Sequence, residues 1–418
     1  MESKSRIDIL SLILFVAIAA LGVASVYSAT YELGAESILE GRSGKQLMWF
    51  GVSAAIGVII FLLNANFFEF FSMYFYVALM LLLVVVLGIG SDINGARSWI
   101  KIGSISIQPS EFAKYGTAFA VSTLLSSIDF SWNKGKDLIK IAAVILLPMG
   151  LIILQGDTGS ALVFLSFFLV FYREGLTPAI IVIGLVAVII FVLTLMFTSM
   201  YFSGGVVVLF LIFYAFTYSN KKLLIPSLRI LGIVVLFSLS VQFLFDNVLQ
   251  KHQQKRIQVT LNLIEDNQGA GYNVNQSKIA IGSGGASGKG FLNGSHTKGN
   301  FIPEQETDFI FCTIGEEGGW VYSTLTIGLF MAFILRLYHL GNRAKKKFKR
   351  IFICSLASII FFHVIVNVGM TIGLMPVIGI PLPLISYGGS SVLAFCIFIL
   401  TALKMDASRD GDLVSTYA

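Results

Sequence analysis

The chain has 418 residues, of which 56% are hydrophobic and only 12% are charged. Soluble domains carry about 25% charged residues, so this composition excludes a protein that folds alone in water, and a bilayer must surround most of it. The formal net charge of +6 does not indicate a nucleic-acid partner, because the basic residues stand in short loops between apolar runs, where they set membrane orientation.

Apolar runs long enough to cross a bilayer recur along the chain. A spanning helix needs about 20 apolar residues, and the pattern predicts an all-α, polytopic membrane protein with about 12 transmembrane helices. The first run is too long for the apolar part of a signal peptide and is predicted to remain as a helix. The predicted helices are centred near residues 18, 55, 80, 118, 147, 166, 188, 211, 237, 321, 361 and 394.

With this order of helices, all of the basic loops fall on one side of the membrane. The strongest basic block lies at 343–350, before the eleventh helix. The positive-inside rule identifies that side as the cytoplasm, so both termini are expected there. Three segments are then expected outside, at 31–45, at 90–108 and, before the tenth helix, at 247–307.

The second outer segment ends in the strings NGARSWIKIG and QPSEFAK. Glu111 and Lys114 lie three residues apart at the start of a predicted helix, where a buried ion pair is the structural alternative to a site. Trp99 suits an interfacial anchor. Arg97, an exposed guanidinium beside a glycine, suits phosphate or pyrophosphate binding.

The string QGDTGSA places Asp157 between two predicted helices. An aspartate in that position is either a helix cap or part of a polar site, and the cap is the favoured interpretation.

The long outer segment 247–307 is too long and too polar for a simple connector. It brings Glu265 and Asp266 near Lys278 and Lys289 in sequence. Its glycines do not form a phosphate-binding P-loop, because a glycine follows Lys289 where that motif needs serine or threonine. A carboxylate so placed can act as a general base, whereas a cap or turn is the structural alternative.

Two later strings carry further polar residues near the membrane boundary. FIPEQETDFIF contains Glu306 and Asp308, acids that can hold a cation or order the loop, the second role being favoured. GIPLPLISYGGSS contains Ser386 and is typical of a re-entrant or closely packed segment. His363, inside a predicted helix, is expected to hydrogen-bond across helices.

Together these strings resemble the SEDS family (shape, elongation, division and sporulation) of bacterial cell-wall polymerases. They span residues 94–391 in the family's order. The stretch IAIGSGGASGKG resembles the elongation branch, RodA, more than the division branch, FtsW. The resemblance implies a peptidoglycan glycosyltransferase that polymerises lipid II at the outer leaflet and releases undecaprenyl pyrophosphate.

The resemblance also implies roles for particular residues. Asp266 matches the essential loop aspartate of the family and is expected to be the general base. Candidates for binding substrate or pyrophosphate are Arg97, Trp99, Lys114, Lys278 and Lys289. Supporting positions are Glu111, Asp157, Glu306, Asp308 and Ser386. No metal ligand is assigned, and a divalent cation, magnesium or manganese, remains a hypothesis.

The expected context is the bacterial cytoplasmic (inner) membrane, which the chain crosses as a single integral membrane domain over 1–418. The implied partners are a class B penicillin-binding protein, which is a transpeptidase, and other membrane proteins of the elongation complex. Most members of the family have ten helices, so we place the excess in an extra hairpin within 176–230. The alternatives are a lipid II flippase and a non-catalytic scaffold.

Overall fold

The computed structural model describes residues 7–31, 37–39, 41–93, 96–103, 105–217, 221–247, 249, 251–261, 263–264, 269–299 and 301–408. Within these residues, nine helices are long and apolar enough to cross a membrane. The prediction of a polytopic, helical membrane protein is therefore confirmed. The chain forms two compact units, one made of Met1–Gly175 with Asn273–Ala418 and the other of Leu176–Tyr272.

The first unit contains most of the helices and one small sheet. Its helices before the second unit are α1 Ile9–Ala29, α2 Gly41–Leu62, α3 Ala65–Ile89, α4 Pro109–Ser126, α5 Gly135–Leu154, α6 Thr158–Leu162 and α7 Phe167–Arg173, with a 3-10 turn at Val163–Ser166 between the last two. Three strands, β1 Ser91–Ile93, β2 Ala96–Ile102 and β3 Ile105–Ile107, form an antiparallel sheet in that order.

The second unit is built on two long helices, α8 Pro178–Thr217 and α9 Lys221–Asn247, followed by α10 Lys251–Thr260. α8 breaks at Thr198, where φ is 62° and ψ is 143°. The two predicted helices near residues 188 and 211 are thus one element with an interruption, and each part has about the length of a membrane span. The extra hairpin expected within 176–230 lies in this unit and stays a prediction.

The remaining helices complete the first unit. They are α12 Ser295–Lys298, α13 Ile310–Arg343, α14 Lys347–Thr371 and α15 Gly389–Ala407, while α11 Ala270–Ser283 spans the boundary in sequence between the units. The long segment 247–307 therefore contains the helices α10, α11 and α12 within its described residues.

The core of the first unit lies around α14 and α15, most of whose membrane-spanning windows are buried. α14 packs against α4, α13 and α15. A cluster of rings forms where they meet, with the centroid of Phe119 4.7 Å from that of Phe352 and 4.6 Å from that of Tyr115. α4, which carries two of the predicted site residues, is thereby held at the centre of the bundle.

Ion pairs hold together the basic end of the bundle. Arg343 pairs with Asp8 and with Asp406, and Arg350 donates to Glu174 at 2.7 Å. These pairs tie the start of α1 and the end of α15 to the boundary between α13 and α14. The basic block that fixed the predicted orientation is therefore also a structural clamp.

Candidate active site

Most of the sequence strings meet around the segment 372–388, which joins α14 to α15. Asn367 near the end of α14 donates to the main-chain oxygens of Asp308 and Ile380, both at 2.8 Å. Ser386 donates its hydroxyl to the oxygen of Thr307 at 2.5 Å, and accepts from the amide of Leu382 at 2.8 Å. The predicted closely packed segment is thus bound to the start of α13.

Glu306 and Ser386, predicted as supporting residues, belong to this framework. The oxygen of Glu306 accepts from the amide of Tyr387 at 2.8 Å. Its carboxylate pairs with Arg42 at the start of α2. Glu306 therefore orders the loop, as the favoured interpretation predicted. Asp308 lies half-buried beside it.

Asp157 is a helix cap, which confirms the favoured interpretation. One carboxylate oxygen accepts from the amide of Ser160 at 3.0 Å, in the first turn of α6. The other accepts from the side-chain amide of Gln108 at 2.7 Å and lies 3.5 Å from the hydroxyl of Ser110. Burial raises the pKa of Asp157, and the hydrogen bonds from Ser160 offset only part of this. The residue therefore joins the starts of α4 and α6.

Glu111 and Lys114 form the buried ion pair that the sequence offered as an alternative. Their nitrogen and oxygen lie 2.8 Å apart, and each side chain is 2% exposed. Lys114 Nζ also lies 3.1 Å from His363 Nε2. The other ring nitrogen of His363 lies 2.9 Å from the oxygen of Pro381, which can only accept. His363 is therefore neutral, with its proton on Nδ1 and its Nε2 accepting from Lys114.

In the buried group of Glu111, Lys114 and His363, the second carboxylate oxygen of Glu111, Oε2, has no hydrogen-bond partner within the described part of the chain. The expected packing of His363 across helices is confirmed, since it joins α4 to the segment after α14. Lys114 is consequently held by protein partners and does not face open water in this conformation.

Arg97 lies on β2, in a small sheet that was not predicted from the sequence. Its main-chain amide donates to the oxygen of Gln155 at 2.8 Å, while its side chain is exposed. Trp99, two residues on, is half-buried and pairs with Ser91. The backbone of Arg97 is therefore fixed to the end of α5, with the guanidinium free to meet a ligand. Alternating isoleucines on both sides of Gly103 were the available signal for these strands.

Lys289 is held by a buried carboxylate. Its Nζ lies 2.7 Å from an oxygen of Glu316, whose side chain is fully buried. Glu316 also accepts from the amides of His296 and Thr297, both at 2.9 Å. The carboxylate thus orders α12, and Lys289 serves as its counter-charge.

The glycine-rich string 282–290 docks onto a break in α13. At Gly319, φ is 63° and ψ is −163°, a conformation that only glycine adopts readily. The docking bonds, at 2.9–3.2 Å, run from Lys289 N to Glu316 O, Gly290 N to Glu317 O, Trp320 N to Gly285 O and Val321 N to Ala286 O. The glycines therefore allow close backbone contact between the string and α13.

Lys278 is exposed on α11, which is anchored by the hydroxyl of Ser277 at 2.9 Å from the oxygen of Thr371. Glu265 and Asp266 lie outside the described residues, so the general base stays a prediction. Among the described residues, no group of three or more His, Cys, Asp and Glu gathers as metal ligands do. The divalent cation likewise stays a hypothesis.

Comparison with known proteins gives consistent matches along the chain. Residues 8–211 and 202–410 match the FtsW/RodA/SpoVE family, described as cell cycle proteins. The peptidoglycan glycosyltransferase RodA of Treponema pallidum is 31% identical over 441 residues, covering 96% of this chain and 97% of that protein. The peptidoglycan glycosyltransferase MrdB of Escherichia coli is 30% identical over 370 residues, covering 88% and 86%.

Solved structures share the fold. A structure reported for the coordination of polymerization and crosslinking by a peptidoglycan synthase complex matches with a TM-score of 0.71 and 26% identity, covering 96% of this chain and 98% of that one. The rod shape determining protein RodA of Thermus thermophilus matches with a TM-score of 0.60 and 24% identity, covering 96% and 97%.

Proposed function

Because the chain belongs to the FtsW/RodA/SpoVE family, we propose that it is a peptidoglycan glycosyltransferase that polymerises lipid II into glycan strands during cell elongation. The observation that carries this is the match, at 30% identity or more, to two proteins named for that activity over 88% and 96% of the chain. A flippase is not favoured, because the relatives are named as transferases.

The reaction is a single displacement at the anomeric carbon. A sugar hydroxyl oxygen forms the new bond to C1, and the bond from C1 to the pyrophosphate oxygen breaks, with its electron pair leaving on the pyrophosphate. Asp266 takes the hydroxyl proton in this proposal. A general base contributes about 10²–10⁴-fold to such a rate, and cations that stabilise the departing charge contribute further.

Among the cations predicted from the sequence, the exposed ones are the best-placed partners for the pyrophosphate. Arg97 and Lys278 are exposed, whereas Lys114 is 2% exposed and Lys289 27% exposed, each beside a buried carboxylate. Arg97, with Trp99 beside it on the strand, is therefore the first candidate. A contact from the buried Lys114 to the pyrophosphate requires the surrounding group to open, whereas Lys289 is partly exposed beside its carboxylate partner.

The cellular setting is part of the same proposal. A chain with this many apolar helices is a multi-pass membrane protein, and we place it in the bacterial cytoplasmic membrane with both termini in the cytoplasm. Its partner in this proposal is a class B penicillin-binding protein. The solved synthase complex, whose description joins polymerization to crosslinking, supports that pairing.

A reconstitution assay tests the function. The purified chain with its transpeptidase partner receives lipid II in detergent, and glycan strands are resolved on a gel, with the partner alone as control. Polymer is expected only when the chain is present. Translocation of labelled lipid II in liposomes, without polymer in either format, would instead support a flippase.

A further inference from the structure

A deep apolar groove runs along the membrane face of the first unit. It has a volume of about 860 Å³ and is walled by α1, α2 and α15. Its wall on α1 extends from Leu12 to Ala24, and its wall on α2 from Leu47 to Leu62. At 1.5 Å per residue these walls are about 18 Å and 22 Å long, which is more than half of a hydrocarbon core about 30 Å thick.

The lining of the groove offers nothing to a polar ligand. Ser53 and Cys396 are its only residues with a polar side chain among those described. The Ser53 hydroxyl already donates to the oxygen of Trp49 at 2.8 Å, within α2. The volume lies within the range of about 300–1,000 Å³ typical of small-ligand pockets. The groove therefore suits a hydrocarbon chain.

The outer end of the groove carries aromatic and positive groups. Tyr27 lies one turn of α1 beyond Ala24 of the groove, and Tyr31 lies two residues after the helix ends. Their rings meet edge to face, with centroids 5.5 Å apart. Tyrosines of this kind mark the boundary between membrane and water. Lys298 Nζ lies 5.8 Å from the centre of the Tyr31 ring and is exposed. A phosphate group at the end of a chain in the groove would meet this charge.

The α2 wall is bonded to the candidate active site. The side-chain amide of Gln46, on α2, donates to the oxygen of Ile385 at 3.2 Å, in the segment 372–388. Arg42, in the first turn of α2, pairs with Glu306 of the same site. The helix that forms this wall is therefore bonded directly to residues of the candidate active site.

We propose that this groove holds the polyprenyl chain of the lipid-linked substrate, with Lys298 beside its diphosphate. The inference rests on the proposed function and adds a chain-binding subsite to it. The competing occupant is a transmembrane helix of a partner. The outer cation, the bonds from α2 to the candidate active site and the hydrocarbon lining favour the polyprenyl chain.

A matched pair of variants tests the groove. Ala54 and Ala55 are both exposed on α2, but only Ala54 lines the groove. The substrates are lipid II with its undecaprenyl chain and an analogue with a farnesyl chain. Ala54→Trp should raise the KM for the undecaprenyl substrate about tenfold. This corresponds to about two methylene groups of the polyprenyl chain that are no longer buried in the groove. The farnesyl substrate and Ala55→Trp should show no such change.

A second pair tests the headgroup. Lys298→Gln is expected to raise the KM for both substrates about threefold, the range of an exposed charge interaction. Lys45→Gln is the control, because Lys45 is exposed and lies roughly 200° around the helix from Leu47 of the groove. If Ala54→Trp does not fold, Ala20→Trp fills the groove from the α1 wall.

The outcomes separate the groove from the function. The proposal is overturned if wild type, Ala54→Trp and Ala20→Trp have equal KM values for the undecaprenyl substrate. It is also overturned if purified Ala54→Trp no longer binds the partner protein while its KM for that substrate is unchanged, because the groove would then hold a partner helix. If wild type makes no polymer, the proposed function fails. Binding of the polyprenyl chain in the groove is then tested by crosslinking. A photoreactive undecaprenyl diphosphate should then label α1 and α2 in wild type and in Ala55→Trp but not in Ala54→Trp, and equal labelling overturns the proposal.

Discussion

Buried charges decide how individual residues of the site behave. Lys114 contacts Glu111 and His363, and its Nζ lies 5.3 Å from the centroid of the Phe395 ring. A buried pair contributes little net stability, but removing one partner leaves an uncompensated charge. The sequence predicted the pairing of Glu111 and Lys114 because they lie three residues apart. It could not predict that His363, 249 residues away, completes the group.

Removing the lysine alone should therefore be severe. Lys114→Met is expected to lower the free energy of unfolding by about 3–5 kcal/mol, because Glu111 keeps its charge in the core. The double variant Glu111→Gln, Lys114→Met should recover most of that loss. Denaturant unfolding in mixed micelles measures both. Equal stability for the single and double variants would show that the pair is not coupled.

Asp157 provides a second test at this scale, since its pKa is raised by burial. A carboxyl whose folded pKa is raised stabilises the fold most when it is protonated, and stability declines as the pH rises above its usual pKa of about 3.9. Asp157→Asn should remove this decline and keep the cap, whereas Asp157→Ala should cost about 1 kcal/mol. Thermal unfolding in detergent between acid and neutral pH measures the stability of the three proteins. An asparagine variant as unstable as the alanine variant would contradict the cap.

At the scale of elements, the glycine-rich string and α13 act as one piece. A carbon added at Gly319 would lie 2.3 Å from the amide nitrogen of Gly288, and one added at Gly288 would lie 2.0 Å from the oxygen of Glu317. The bonds between the two segments replace the helical bonds that α13 lacks at its break. This contact fixes Glu316 and Lys289, and through them α12.

Gly319→Ala should therefore destabilise the protein by at least about 1–3 kcal/mol, since it adds both backbone strain and a collision. Gly328→Ala is the control. Gly328 is exposed on the same helix and has no atom within 4 Å of its added carbon, so the change should be neutral or stabilising by up to about 1 kcal/mol. Unfolding midpoints in detergent give the comparison, and similar losses in both variants would argue against the docking.

Hydropathy predicted the long helices well and the short elements poorly. A run of about 20 apolar residues is a strong signal because lipid leaves the backbone few alternatives. The strands of three to seven residues near Arg97 and the four-residue helix α12 have no comparable signal. The pairing of Lys289 with Glu316 bridges 27 residues, and only the fold of the chain brings them together.

At the scale of the whole molecule, the bundle has two chemically different ends. One end carries the clamp of Arg343, Asp8 and Asp406. The other carries Arg97, Asp157, the segment 372–388 and the glycine-rich string. The function requires the second end to face outward, toward lipid II on the outer leaflet.

Thiol labelling tests that orientation. The native cysteines Cys312, Cys354 and Cys396 are buried, so the wild-type chain should react little with a membrane-impermeant maleimide. Asn293→Cys and Lys345→Cys place thiols at exposed positions near the two ends. In intact cells only Asn293→Cys should be labelled, and in opened cells both. Labelling of Lys345→Cys alone from outside would invert the topology and remove the function.

The central claim is that a carboxylate at Asp266 activates the attacking hydroxyl. The most direct measurement is glycan synthesis from lipid II by the purified chain with the proposed transpeptidase partner. It compares wild type, Asp266→Asn and the neighbouring control Glu265→Gln. The account predicts that Asp266→Asn loses about 10²–10⁴-fold in rate, while Glu265→Gln stays close to wild type and all three bind the partner equally. Wild-type polymerisation by Asp266→Asn would contradict it.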